Sequence, residues 1–227
     1  MNTKVPRSED ALVEEQLGKW RVSASKPVKD VTVAKTPPVI TISRETGCRA
    51  TQIAQKLADT LKMDLMGSRI IQMVAESTEM SEKVVKSLDE KEITKRDEWL
   101  SALFDRRNLW PDQYLQHLTK VIGTIGRHGN AVILGRGATF ILPREETFSV
   151  RIIAPWETRI ENSIKTTREE AQRYLANTDS SREAFVRKYF NADVRDPAYY
   201  DLVLNMRGFS VDSAVQAIIG AFNAWKS

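Results

Sequence analysis

The sequence predicts a three-layer α/β fold: a parallel five-stranded sheet with helices on both faces and a helical lid. Apolar runs almost bare of charge, at 39–43, 131–134 and 148–154, read as strands buried on both sides, as parallel sheets require. The segments between them place apolar residues three and four apart, the period of helices packed on such a sheet. The first run also leads through a tight polar turn at Gly47 into Ile53, Ala54, Leu57, Ala58 and Leu61, one stripe of a helix. Strand, short turn, helix presents backbone N–H groups and a helix N-terminus to an anion.

Taken in order, Leu12, Val13, Leu17 and Trp20 predict an amphipathic N-terminal helix with Ser8 as its cap. Residues 23–38 are rich in Ser, Lys, Pro and Val without helical period, and read as a linker ending at Pro37-Pro38. The expected division is therefore 1–37, helix and linker, and 38–227, the sheet-bearing domain. After the phosphate-loop-like turn and its helix comes a short strand at 63–66. Helices follow at 69–76, 80–88 and 92–108, forming an insert over about 67–108. Pro111 can open the next helix, through Tyr114, Leu118, Val121, Ile122 and Ile125, which Gly129-Asn130 stops. The strand at 131–134 runs into Gly135-Arg136-Gly137. The strand at 148–154 is followed from Pro155 by a helix through Ile160 and Ile164. Residues 166–200 are very polar and hold Arg168, Arg173, Arg182, Arg187, Lys188 and Arg195. A last strand at 202–204 precedes a helix capped by Ser210 and striped by Val211, Ala214, Val215, Ile218, Ile219 and Phe222.

Composition narrows the function classes. In 227 residues, 34 Lys and Arg against 30 Asp and Glu leave a net charge of only +4, which calls for no nucleic-acid partner. The basic residues also lack an interleaved aromatic platform for bases. No apolar run is long enough to span a bilayer, and the N-terminus has no apolar signal segment, so no membrane role and a cytoplasmic location are expected. A single cysteine, Cys48, and two histidines, His117 and His128, argue against a disulfide framework and against a Cys/His metal site; both histidines read as surface or capping residues.

Ligands of parallel sheets bind beyond the carboxyl ends of the strands. The polar segments leaving those ends are 43–51, 135–139 and the residues after Asn205. In the first, Thr46, Gly47, Cys48, Arg49, Ala50 and Thr51 are the expected contacts for a nucleotide's phosphates, and Thr51 takes the place of the Mg²⁺-binding hydroxyl. The motif G-x-x-x-x-G-K-[ST] is absent, since Ala50 stands at the lysine and Arg44 and Arg49 at the two glycines. Arg49 or Arg44 is then available as the substituting cation. In the second segment, Arg136 between two glycines can offer its planar fork to a phosphate. The arginine-rich 166–200 lies where phosphotransfer enzymes carry a lid, whose arginines neutralise charge on the transferred group.

With Ile42-Ser43-Arg44-Glu45 before the loop, residues 129–138 (GNAVILGRGA) and residues 196–205 (DPAYYDLVLN), the chain from about Pro38 onward resembles the cytidylate kinase-like family of P-loop kinases, in its divergent bacterial branch. The resemblance implies ATP-dependent phosphoryl transfer to a nucleoside monophosphate, CMP-like, with ATP and Mg²⁺ as cofactors. It implies that Arg136, with Gly137, holds the acceptor's phosphate. Asp179 and Arg182 would match the D-x-x-R of the lid, with Arg187 in support, and Arg49, Arg182 and Arg187 would form the catalytic set. Gly137 replaces the acidic residue that usually follows Gly-Arg, and the loop has lost glycines and its lysine. The alternative is therefore a catalytically weak or inactive nucleotide- or anion-binding regulatory module on the same fold.

Overall fold

The computed structural model describes residues 37–67, 71, 113–163 and 167–226. Its contacts divide the chain into two compact units: Pro38–Gly67 with Asn130–Ser227, and Met1–Pro37 with Ser68–Gly129. The expected helices at 11–20, 80–88 and 92–108 and the linker at 23–36 lie outside the described residues, as does the helix at 69–76 except for Ile71, which is helical and buried.

The first unit is a parallel sheet of five strands, β1 (Val39–Arg44), β2 (Asp64–Met66), β3 (Ala131–Leu134), β4 (Thr147–Ile153) and β5 (Leu202–Asn205), in the order β2-β3-β1-β4-β5. Register explains the bare apolar runs. Ile40 pairs with Val132 and Phe148, and Ile42 with Leu134 and Val150, so one face of three adjacent strands is wholly aliphatic or aromatic. Against that face pack α1 (Ala50–Leu61), through Ile53 and Leu57, and the closing helix α6 (Val211–Lys226), through Ile218 and Phe222. The Phe148 ring lies 5.6 Å from Phe222 and 5.7 Å from Trp225. Ser210 caps α6 as expected, its Oγ accepting from Ser213 N at 3.1 Å.

Alternation sends Thr41 to the opposite face. There its hydroxyl meets Thr139 at 3.0 Å and donates to Ser149 at 3.1 Å, which satisfies a polar pair inside the sheet. Thr139 belongs to α3 (Ala138–Ile141), one short turn after β3. The helix after Pro155, α4 (Trp156–Glu161), ends before Ile164, which lies outside the described residues. The polar segment becomes one continuous helix, α5 (Arg168–Phe190), capped by Thr167 and stopped by Asn191 in the left-handed region. Its start packs on α4 through Ile160, Ala171 and Leu175. Its end packs through Phe185 and Phe190 on Phe140, with Phe140 and Phe190 stacked at 5.4 Å.

The sheet order positions the site. From β1 the chain moves outward toward β2 and β3, and from β3 it returns past β1 to β4. The carboxyl ends of β1, β3 and β4 thus meet at the reversal of strand order, where such sheets open a crevice. The second unit contributes α2 (Gln113–His128) to the described residues, with Leu115, Leu118, Val121, Ile122 and Ile125 buried. Gly129 and Asn130 follow it with positive φ, as the stop signal predicts.

Candidate active site

The turn from β1 to α1 is shaped by two left-handed residues. Gly47 has φ +82°, and a Cβ there would meet the Arg159 carbonyl oxygen at 2.5 Å, so only glycine fits. Arg49 adopts φ 61°, ψ 17° immediately before Ala50 opens α1. That conformation costs a side chain about 1 kcal/mol, which marks position 49 as a glycine-like position occupied by arginine. The Arg49 side chain is exposed and lies along the rim shared with Asn162. Its Nε and Nη2 donate to Asn162 Oδ1 at 2.9 and 2.7 Å, while Asn162 Nδ2 donates to the Gly47 carbonyl at 2.9 Å. Ala50 does not lie in the polar turn but is the buried first residue of α1, packed in the core. Cys48 is buried beside it, and burial pushes its thiol up to about 11.

A cavity of about 470 Å³ opens between this loop and α5, lined among others by Arg44, Gly47, Thr51, Tyr174 and Arg182. Thr51 is exposed on the second residue of α1, with its hydroxyl available to a ligand. Across the cavity α5 supplies Asp179 and Arg182, one turn apart. Asp179 Oδ1 accepts from Thr46 N at 2.8 Å and from Thr46 Oγ1 at 2.6 Å. Arg182 Nη1 donates to Thr46 Oγ1 at 2.8 Å. Asp179 Oδ2 accepts from Arg159 Nη1. The Arg159 guanidinium, buried and 5.0 Å over the Trp156 ring, has Glu45 3.5 Å from its Nε. Glu45 in turn accepts from Ala154 N at 3.1 Å. A chain of charges therefore clamps the loop to both α4 and α5, and each carboxylate in it is committed to amides and arginine.

The Gly135-Arg136-Gly137 turn holds three successive positive φ values, 83°, 54° and 71°. Bare Gly135 makes room for Arg44, whose Nη1 lies 1.7 Å from where a Cβ would be; bare Gly137 makes room for Phe190, 2.6 Å from the same test position. Burial, then the charges of Arg182 and Arg136, lower the Arg44 pKa to about 10. Arg182 is lowered too, chiefly by burial, with Asp179 opposing. Arg44, Arg136 and Arg182 thus share one corner of the crevice. Arg136 stands within electrostatic reach but outside the cavity lining. Arg187 is exposed on α5 and its charge acts on Asp193, away from the loop.

The structure brings Thr46, Gly47, Cys48, Arg49, Ala50, Thr51, Asp179 and Arg182 together, with the Arg49 guanidinium held by Asn162, which lines the same cavity. Sequence reading passed over Arg159, Glu45 and Asn162 as site residues. Arg159 lies six residues after the end of β4, one turn into α4. Polyphosphate fits the cationic cavity. Among the described residues no three His, Cys, Asp or Glu side chains cluster as a metal site. A Mg²⁺ ion would fit beside bound phosphates, with the exposed Thr51 at the start of α1 supplying a hydroxyl toward it.

A family model described as the cytidylate kinase-like family matches residues 39–207. No curated protein matches the chain. Among solved structures, the chain is similar to an uncharacterized protein from Eubacterium ventriosum ATCC 27560, with TM-score 0.64 and 19% identity over 82% of this chain and 98% of that one. It is also similar to shikimate kinase from Bacteroides thetaiotaomicron (TM-score 0.46, 12% identity, 82% and 98% covered) and to shikimate kinase from Aquifex aeolicus (0.46, 11%, 82% and 96%). No helix among the described residues is long and apolar enough to cross a membrane.

Proposed function

Because the chain belongs to the cytidylate kinase-like family, we propose that it transfers the terminal phosphoryl group of ATP to a nucleoside monophosphate, CMP-like, in the cytoplasm. The observation that carries the reading is the closure of α5 on the loop after β1, which sets Arg182 beside the cavity where the donor's phosphates would sit. Such a transfer asks little covalent chemistry of the protein; it needs in-line placement and cations on developing charge. Loop amides and the α1 N-terminus receive the donor, Arg182 shifts its guanidinium onto the moving group, and Arg136 holds the acceptor's phosphate. Bound Mg²⁺ would screen the donor phosphates beside Thr51. Purified protein with ATP, Mg²⁺ and a panel of monophosphates should form ADP in step with one acceptor. Tight ATP binding without turnover on any acceptor would defeat the enzyme reading.

A second reading has its own observation. The Thr46 amide, which a phosphate loop would offer to its anion, is taken by Asp179. A regulatory module held closed by that carboxylate would bind nucleotide weakly and turn it over slowly. In that case Asp179→Ala should raise ATP affinity in calorimetry, whereas an enzyme that uses Asp179 on its substrate should lose turnover.

A further inference from the structure

Position 50 is alanine, so α1 carries no cation where a lysine would reach the outer phosphates. Two arginines of the loop are near enough in sequence to supply the charge, and the geometry separates them. Arg49 is exposed and also lines the cavity, but it spends its Nε and Nη2 on Asn162 Oδ1. Arg44 runs inward from the end of β1 and lines the cavity. Its guanidinium passes under the turn after β3, through space that a Cβ at Gly135 would fill. Arg182 Nη1 reaches to 3.4 Å from the Arg44 carbonyl oxygen, and both arginines line the cavity, from opposite elements. Arg136 adds a third charge within range, and Asp179 offsets part of the total. Like charges gathered in a half-buried corner repel one another, and an anion bound among them removes that repulsion while accepting their hydrogen bonds.

We propose that Arg44 is the cation that grips the donor's polyphosphate, replacing from beneath the loop the lysine that α1 lacks, with Gly135 bare to admit it. The proposal rests on the reading of 45–51 as a phosphate loop. It names a different residue from the one that sequence spacing favours, since Arg49 lies nearer the lysine's place.

The test is calorimetric titration of inorganic tripolyphosphate into the full chain and its variants. Arg44→Gln should weaken binding by about tenfold or more, as expected for loss of a charge-assisted contact. Arg44→Lys should recover part of it, and Arg49→Gln should lose less than Arg44→Gln. An Arg44→Gln protein that binds like the parent, or a greater loss in Arg49→Gln, overturns the assignment and leaves the phosphate-loop reading intact. A parent that takes up no tripolyphosphate overturns both. Should Arg44→Gln fail to fold, phenylglyoxal modification of the unaltered protein, mapped by mass spectrometry, decides the matter. Tripolyphosphate should shield Arg44 more than Arg49, and the reverse pattern sinks the proposal.

Discussion

Single side chains decide what the crevice can hold. Arg136 adopts φ 54° between glycines at 83° and 71°, a conformation an arginine accepts only where the turn demands it. The turn's carboxyl-end position and its charge suit an acceptor phosphate. Arg136→Ala should therefore weaken monophosphate binding by roughly 1.5–3 kcal/mol while leaving the melting temperature nearly unchanged. Calorimetry with CMP checks it, and unchanged affinity would reduce Arg136 to a turn residue. At Asp179 the same carboxylate binds one loop residue through both its amide and its hydroxyl, a double hold that spacing along the chain could not reveal.

The helices carry the next set of consequences. Along α5, one end is fixed by Phe185 and Phe190 against Phe140 and the other by Ala171 and Leu175 against Ile160. Arg182 lies between these anchored ends. Removing it by Arg182→Ala should lower turnover more than ATP affinity, since such an arginine acts mostly on charge that develops during transfer. Steady-state kinetics beside direct ATP titration separates the two. Equal losses in affinity and in kcat/KM, with kcat kept, would make Arg182 a plain binding residue.

In α2, His128 is the half-buried last residue of the helix, at the place its stop signal predicts. Burial, aided by Arg127, lowers its pKa from 6.5 to about 4. Above pH 6.5 neither folded nor unfolded chain is protonated there, and the stabilisation is complete. As the pH falls toward 4 the unfolded chain binds a proton that the folded chain refuses, and stability declines. Urea unfolding at pH 7.5 and pH 5 should show this loss, and His128→Gln should reduce it.

For the molecule as a whole, the sheet holds the site in place from below. Phe148 is almost wholly buried at the centre of the face shared by β1, β4 and α6. Phe148→Ala should cost about 3–5 kcal/mol, read from the denaturant midpoint, because both hydrophobic transfer and a cavity are lost. A loss below about 1 kcal/mol would mean that α6 collapses onto the gap.

Local pattern was enough to fix the strands, the helix after the loop, the glycine turn after β3 and the cap of α6. Each of those depends on neighbours a few residues apart: β-branched residues in a run, a 3.6-residue stripe, a hydroxyl three residues before the amide it caps. The same information placed the candidate loop and both polar segments at strand ends. What it left open was which charges meet. Glu45, Arg159 and Asp179 are far apart in the chain, and Asn162 is 113 residues from Arg49, so their pairing exists only once α4 and α5 fold back over β1. As letters, Arg49 stands nearer the missing lysine than Arg44 does. Side-chain direction separates them: one leaves a strand end toward Gly135, and the other leaves a left-handed residue toward Asn162, a difference set by the backbone around them and by the sheet order that brings β3 beside β1.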